Sequence, residues 1–316
     1  MQTMEALRRR IKSAEDLLAV VRTMKALAAV NIRHYEKAVA ALADYDHTIE
    51  LGLHVLVRER PPRLAPRAVD EGVALVVFGT DQGLCGQFNE RVVACAHDTL
   101  TRAAHRSTAF APYLLAMGER CAGLLTEAGH PPDQVVGVPS GIAGITPLVG
   151  ELLLYVDHYV DRWQVRRSAL GSGAGGDRSP NGPSARVLLI HNRPVGTALY
   201  RPEMTTLLPL DTVRLRQLAA APWQSRALPF HRQEWHQLFS ALVQHHLFVA
   251  LYRACVESLA SEDASRLMAM QNAESNIQDR LDGLSAAYHH QRQTRINAEL
   301  LDIVSGFEAV AGHASD

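Results

Sequence analysis

"LLAVVRTMKALAAVNIRHYEKAVAAL", residues 17–42, decides the fold. It has no proline and no glycine, and its apolar positions fall seven apart in two columns. Extended both ways, the first column reads Met4, Ile11, Leu18, Lys25, Ile32, Val39, Asp46, Leu53. The second reads Leu7, Ala14, Val21, Ala28, Tyr35, Leu42, Ile49, Leu56. Only Lys25 and Asp46 interrupt the seam. A sustained heptad predicts a coiled-coil helix, about 80 Å long at ~1.5 Å per residue. "RERPPRLAPR" ends it, because proline cannot continue a helix.

The far end of the chain answers this helix. From about Gln233 to Ala311 there is no proline, and a seam runs Leu267, Met270, Ile277, Leu281, Leu284, Tyr288. It then turns polar at Gln291 and Arg295, and apolar residues resume at Leu300, Ile303, Val304 and Phe307. Residues 1–37 carry eight Lys/Arg against four Asp/Glu; residues 257–316 carry four Arg against ten Asp/Glu. Matching seams of opposite charge predict an antiparallel pair, with Leu18 and Val21 facing the 281–288 stretch.

Between them, residues 72–215 change period. Short apolar runs ("VALVVF", "YLLAM", "QVVGV", "RVLLIHN") alternate with amphipathic stretches beginning near Asn89, Glu119 and Pro147. Alternating strands and helices predict a parallel sheet with helices on its faces. "SALGSGAGGDRSPNGPSA", near 168–185, reads as a flexible surface insertion. The expected organisation is an N-terminal helix over 1–60, a Rossmann-like α/β domain over 72–215 and a C-terminal helix over 231–312.

Chemistry is thin. With 32 Lys+Arg against 33 Asp+Glu, no global signature of nucleic-acid or membrane-surface binding exists. No apolar run reaches the ~20 residues a membrane span needs, so direct insertion is not expected. Cys85, Cys95, Cys121 and Cys255 form no CxxC pair, and no metal or cofactor is expected. The adjacent histidines at 245–246 and 289–290 diverge by about 100° on a helix, which is poor for chelation. One loop invites a phosphate: "FGTDQGLCGQFN", residues 78–89, where a strand meets a helix. Its GxxxGxxG spacing is neither a Walker loop nor a dinucleotide loop. It has no lysine, and Asp81 would repel a phosphate. A tight turn needing positive φ is the simpler reading.

Three stretches together resemble the gamma subunit of F-type ATP synthases: "RRRIKSAEDLLAVVRTMKALAAVNIR", "DQGLCGQFN", and "LYRACVESLASEDASRLMAMQNA" with "RQTRINAELLDIVSGFEAV". The resemblance covers almost the whole chain. It implies two antiparallel terminal helices around a Rossmann-like domain. It also implies a non-catalytic rotor shaft that couples ion flow to ATP synthesis or hydrolysis. The implied partners are an alpha/beta catalytic hexamer, an epsilon-type companion subunit and a membrane c-type ring, with a peripheral place on the cytoplasmic face of the inner membrane.

By the same resemblance, Asp81, Leu84 and Cys85 lie on a surface facing the ring's lower loops, and Met24 lies near a catalytic subunit's lever. Arg266 matches the arginine of the family's "ARMVAM" stretch, which reads "SRLMAM" here. Arg292 and Gln293 match a pair that bonds a catch loop. Lys25 stands where relatives often carry an acid, and Asn297 where they often carry threonine. These departures, with "LPFHRQEWH" at the foot and the Gly/Ser insertion, point to a divergent bacterial branch, one candidate being a second, non-housekeeping ATPase. Two other readings remain at this stage: a nucleotide-binding α/β protein resting on the glycine loop, and a coiled-coil adaptor unrelated to rotation.

Overall fold

The structure is a computed structural model that describes residues 3–61, 72–106, 112–170, 185–195, 199–223 and 229–313. Contacts divide the chain into two compact units. One joins Met1–Leu27 to Leu267–Asp316, and the other is Ala28–Arg266. Helix α1 (Met4–Glu59) and helix α6 (Trp235–His313) each contribute a segment to both.

In the larger unit a five-stranded sheet has the order β3-β2-β1-β4-β5. Strands β1 (Val73–Phe78), β2 (Tyr113–Met117), β3 (Gln134–Val136) and β4 (Arg186–Val195) run parallel, with Val76 of β1 paired to Leu115 and Leu189 on either side. Every residue of β1 is buried. Continuous apolar sequence without alternation is what a central strand covered on both faces requires. Helices α2 (Phe88–Arg106) and α3 (Glu119–Glu127) cover one face, where Val92, Ala96, Cys121 and Leu125 pack on Leu75, Val77, Leu114 and Ile190. On the other face α4 (Ile145–Leu170) and the nearby part of α6 pack Leu152, Val156, Leu251 and Val256 on Val76, Phe78, Leu115 and Leu189. Tyr35 of α1 joins that core.

The sequence did not lead us to expect β5 (Leu199–Leu208), which pairs antiparallel with β4, so the sheet is mixed rather than wholly parallel. Pro202 within it hides the strand signal. An edge strand tolerates such a proline because one side needs no ladder bonds. The short α5 (Thr212–Ala220) follows, capped by Asp211, whose Oδ1 accepts from the amides of Val213 and Arg214 at 2.9 and 3.1 Å. Helix α4 reaches Leu170, so the first residues of the expected insertion are helical; residues 171–184 lie outside the described residues.

The heptad columns of α1 are unequally deep. In the second column Leu7, Val21, Ala28, Tyr35, Leu42, Ile49 and Leu56 are buried and only Ala14 is partly exposed. In the first column only Leu18 and Leu53 are buried. A helix of 3.6 residues per turn drifts against a seven-residue repeat, so one column faces the partner more squarely. The two interruptions are each matched by charge on α6. In the smaller unit the Lys25 ammonium meets Glu274, and in the larger unit Arg253 Nη2 donates to Asp46 Oδ2 at 2.7 Å.

In the smaller unit α1 and α6 are antiparallel. Arg22 Nε donates to Glu274 Oε1 at 2.8 Å, and the Arg8 guanidinium lies 5.8 Å from the centre of the Tyr288 ring. This register sets Val21 beside the 274–277 turn of α6, about one turn short of the expected 281–288 stretch. Charge pairing at Glu274 fixes it, and seam periodicity alone could not.

Candidate functional site

The glycine turn lies where β1 ends and strand order reverses toward β4. In open α/β sheets that crevice is the usual ligand site. Here α6 crosses it. Ser261 Oγ donates to the Asn192 carbonyl at 2.9 Å, and Ser265 Oγ donates to the Cys85 carbonyl. His191 Nε2 lies 3.0 Å from Glu257 Oε2. The turn also fills itself. Asn89 Oδ1 accepts from the Thr80 amide at 3.0 Å, and Asn89 Nδ2 donates to Thr80 Oγ1 at 2.8 Å.

Two of the glycines serve the turn itself, one by close packing and one by its backbone conformation. A Cβ on Gly79 would sit 2.2 Å from Cys121 Cβ, and Gly86 has φ +58°. Asp81 is exposed, yet its carboxylate accepts the amides of Glu119 at 3.1 Å and Val138 at 2.9 Å, tying the turn to the ends of β2 and β3. Its repulsion of a phosphate is thus a by-product of a structural bond.

Leu84 and Cys85 part company. Leu84 is 64% exposed with φ +64°, the one described non-glycine residue in the left-handed region. Holding a leucine there costs roughly 1–2 kcal/mol, so the turn presents an apolar tip to the outside at some strain. Cys85, expected at the same surface, is buried beneath the turn, its sulfur 3.8 Å from Asn89 Nδ2. Burial pushes its thiol pKa up. It supports the turn from inside and cannot itself touch a partner.

Arg266 is committed within the chain. Its Nη1 donates to Asp263 Oδ1 at 2.7 Å and its Nη2 to Glu262 Oε1. Both carboxylates are buried. Two acids share one guanidinium, so the knot holds surplus negative charge. Burial pushes Glu262 up to about 7, outweighing the opposing pull of Arg266. Burial also raises Asp263, while Arg266 and Asn31 act to lower it. The Tyr35 hydroxyl is pushed up to about 12, by burial first and then by these two acids. Spacing alone does not reveal this knot, since acids at i and i+1 before an arginine are common on wet helix faces.

In the smaller unit Met24 and Lys25 are half-buried beside the seam. A second stripe, Leu17, Val20 and Leu27, flanks Met24 at 3-4-3 spacing, and its members are exposed by 52%, 54% and 59%. This stripe lies outside both heptad columns, and its 3-4-3 spacing is visible in the sequence. On α6, Gln291 is half-buried and every described side chain from Arg292 to Ser305 is exposed. Arg292, Gln293 and Asn297 therefore stand in solvent. So do Ile296, Leu300, Leu301, Ile303 and Val304, exposed by 44–66%. The turn at 81–86 and Arg266 belong to the larger unit, and Met24, Lys25, Arg292, Gln293 and Asn297 to the smaller.

The chain as a whole is similar to known proteins. The ATP synthase family model matches residues 3–310. The ATP synthase gamma chain of Synechococcus sp. (strain PCC 6716) is 29% identical, covering 98% of this chain and 100% of that one. The gamma chain of Salinibacter ruber is 28% identical, covering 98% and 99%. Among solved structures, a chain of the Euglena gracilis mitochondrial ATP synthase (OSCP, F1 and c-ring, rotational state 3) shares the fold. Its TM-score is 0.59 at 15% identity, over 97% of this chain and 94% of that one.

Proposed function

We propose how this chain works from one premise: it belongs to the ATP synthase gamma family. It is the central-stalk subunit of an F-type ATP synthase or ATPase, and it couples ion flow through a membrane ring to ATP synthesis or hydrolysis in a catalytic hexamer. The chain turns and carries no active site of its own. In support, the phosphate-like crevice at the glycine turn is crossed by α6. Its partners are the alpha/beta hexamer, an epsilon-type companion and a c-type ring. It sits peripherally on the cytoplasmic face of the inner membrane. No described helix is long and apolar enough to cross a membrane.

The observation that carries this reading is the bare end of α6. From Arg292 to Ser305 the helix is exposed all round although five of its residues are large and apolar. A lone helix of this length is marginal in water, and so much exposed apolar surface marks a binding surface. A surrounding ring would cover it. Arg292 and Gln293 lie at the start of this stretch, where donors can grip carboxylates or carbonyls of the ring. The arginine fork suits a carboxylate in two places. Leu17, Val20, Met24 and Leu27 offer a second apolar contact for the same ring, and Leu84 a third at the glycine turn. Lys25 and Arg266 act differently from the other site residues: Lys25 ties α1 to α6 through Glu274, and Arg266 neutralises Glu262 and Asp263 within α6.

The test is reconstitution of the complex with Arg292→Ala and Gln293→Ala together. The chain should fold normally, while assembly or ATP turnover falls. Wild-type values for both, at every ATP concentration, would remove this pair from the coupling contact.

A further inference from the structure

We propose that His97 and His130 form a two-histidine chelate for a divalent metal ion of the zinc type, clipping α2 to the turn after α3. They are 33 positions apart, and the fold sets His97 Nδ1 3.0 Å from His130 Nε2, with ring centroids 5.0 Å apart and planes tilted by 54°. Zinc–nitrogen bonds of 2.0–2.1 Å at the tetrahedral angle put two ligand nitrogens roughly 3.3–3.4 Å apart. The pair needs to open by only a few tenths of an ångström to admit the ion.

Both backbones are already fixed. His97 rides on α2, whose Val92, Val93 and Ala96 pack against Cys121, Ala122 and Leu125 of α3 in one core. His130 closes the end of α3: its amide donates to the Leu125 carbonyl at 2.9 Å, after Gly129 turns the chain at φ +83°. Asp133 then anchors the turn to β2, its carboxylate accepting the Leu114 amide at 2.8 Å. Ordering the chelate therefore costs little backbone freedom. His97 is exposed and His130 half-exposed, so an ion can reach them.

The proton balance is simple. In the hydrogen-bonded pair one ring presents N–H and the other a lone pair. A metal needs lone pairs from both. The donating ring moves its proton to its far nitrogen, so a neutral pair releases no net proton. No third protein ligand converges among the described residues, so water fills the remaining positions and the ion exchanges readily. Imidazole suits zinc, copper and nickel over magnesium or calcium.

The experiment uses the full chain without an affinity tag, freed of metal and titrated at pH 7.5 with Zn2+ by calorimetry and with Co2+ by visible absorption. The variants are His97→Ala, His130→Ala and the milder His97→Gln, each checked for wild-type circular dichroism. One saturable equivalent should disappear in every variant. Zn2+ should also slow amide exchange at 97–100 and 128–131 in the wild type. No saturable binding, or the same stoichiometry and affinity in wild type and variants, overturns the proposal and leaves a plain histidine–histidine hydrogen bond.

Discussion

Burial changes the chemistry of Glu262. Its carboxyl is pushed up to about 7 by burial, against an ordinary value of 4.5. The folded chain thus binds this proton more tightly than the unfolded chain. The resulting stability is fully present below about 4.5 and is lost as pH rises through about 7. All three tryptophans, Trp163, Trp223 and Trp235, lie in the larger unit, so their fluorescence reports its unfolding. Between pH 5 and pH 8 the wild type should lose on the order of 2 kcal/mol more stability in urea than Glu262→Gln. Parallel pH profiles for the two proteins would sink the assignment. Leu84 makes a second case at this scale. Asparagine tolerates the left-handed region better than leucine, so Leu84→Asn should leave the urea midpoint unchanged or raised. If the exposed tip meets the catalytic ring, the same change should weaken assembly; full-strength assembly would show the strain has another cause.

Helix α6 passes through three environments, and each leaves a different signature. From Leu247 to Ser265 nearly every side chain is buried against the sheet and α1. From Leu267 to Gln291 one stripe is covered by α1, with Met270 and Leu281 buried. From Arg292 to Ser305 none is covered. Hydrogen exchange in the isolated chain should follow this order: slowest at 247–265, intermediate at 267–288, fastest at 292–305. Uniform protection along α6 would mean that the bare end is held by something other than its complex. Leu281→Ala removes a buried anchor of the middle stretch at a cost of about 2–3 kcal/mol. It should speed exchange from 270 to 288 while leaving 247–260 untouched.

For the chain as a whole, the glycine turn separates a stalk from a nucleotide enzyme. Three side chains of α6 occupy the crevice at the strand-order reversal, and Asn89 fills the turn beneath it. Equilibrium dialysis of the isolated chain with ATP and Mg2+ should therefore find no saturable site up to millimolar nucleotide. A stoichiometric site would revive the enzyme reading and require α6 to leave the sheet.

The sequence by itself determined what depends on near neighbours. Seven-residue spacing made α1 legible, since a column of Leu, Val and Ile along one helix face needs no knowledge of the rest of the chain. "VALVVF" was legible as a strand of a helix-flanked sheet, because a short apolar run followed by an amphipathic stretch is also a local pattern; its central place came from the structure. Opposite charge on the two ends showed that they pair, and three resembling stretches showed the family. The tertiary structure alone decided what depends on residues far apart. Strand β5 was hidden by Pro202, whose cost vanishes only at a sheet edge. Cys85 and Leu84 are adjacent in sequence, yet one is sealed under Ser265 and the other projects. Arg266, singled out only by the resemblance, is held by two buried acids on its own helix. In each case the deciding quantity is burial or a bond between distant segments. Local spacing does not encode it, because the free energy of a polar or apolar group is set by whatever the fold brings against it.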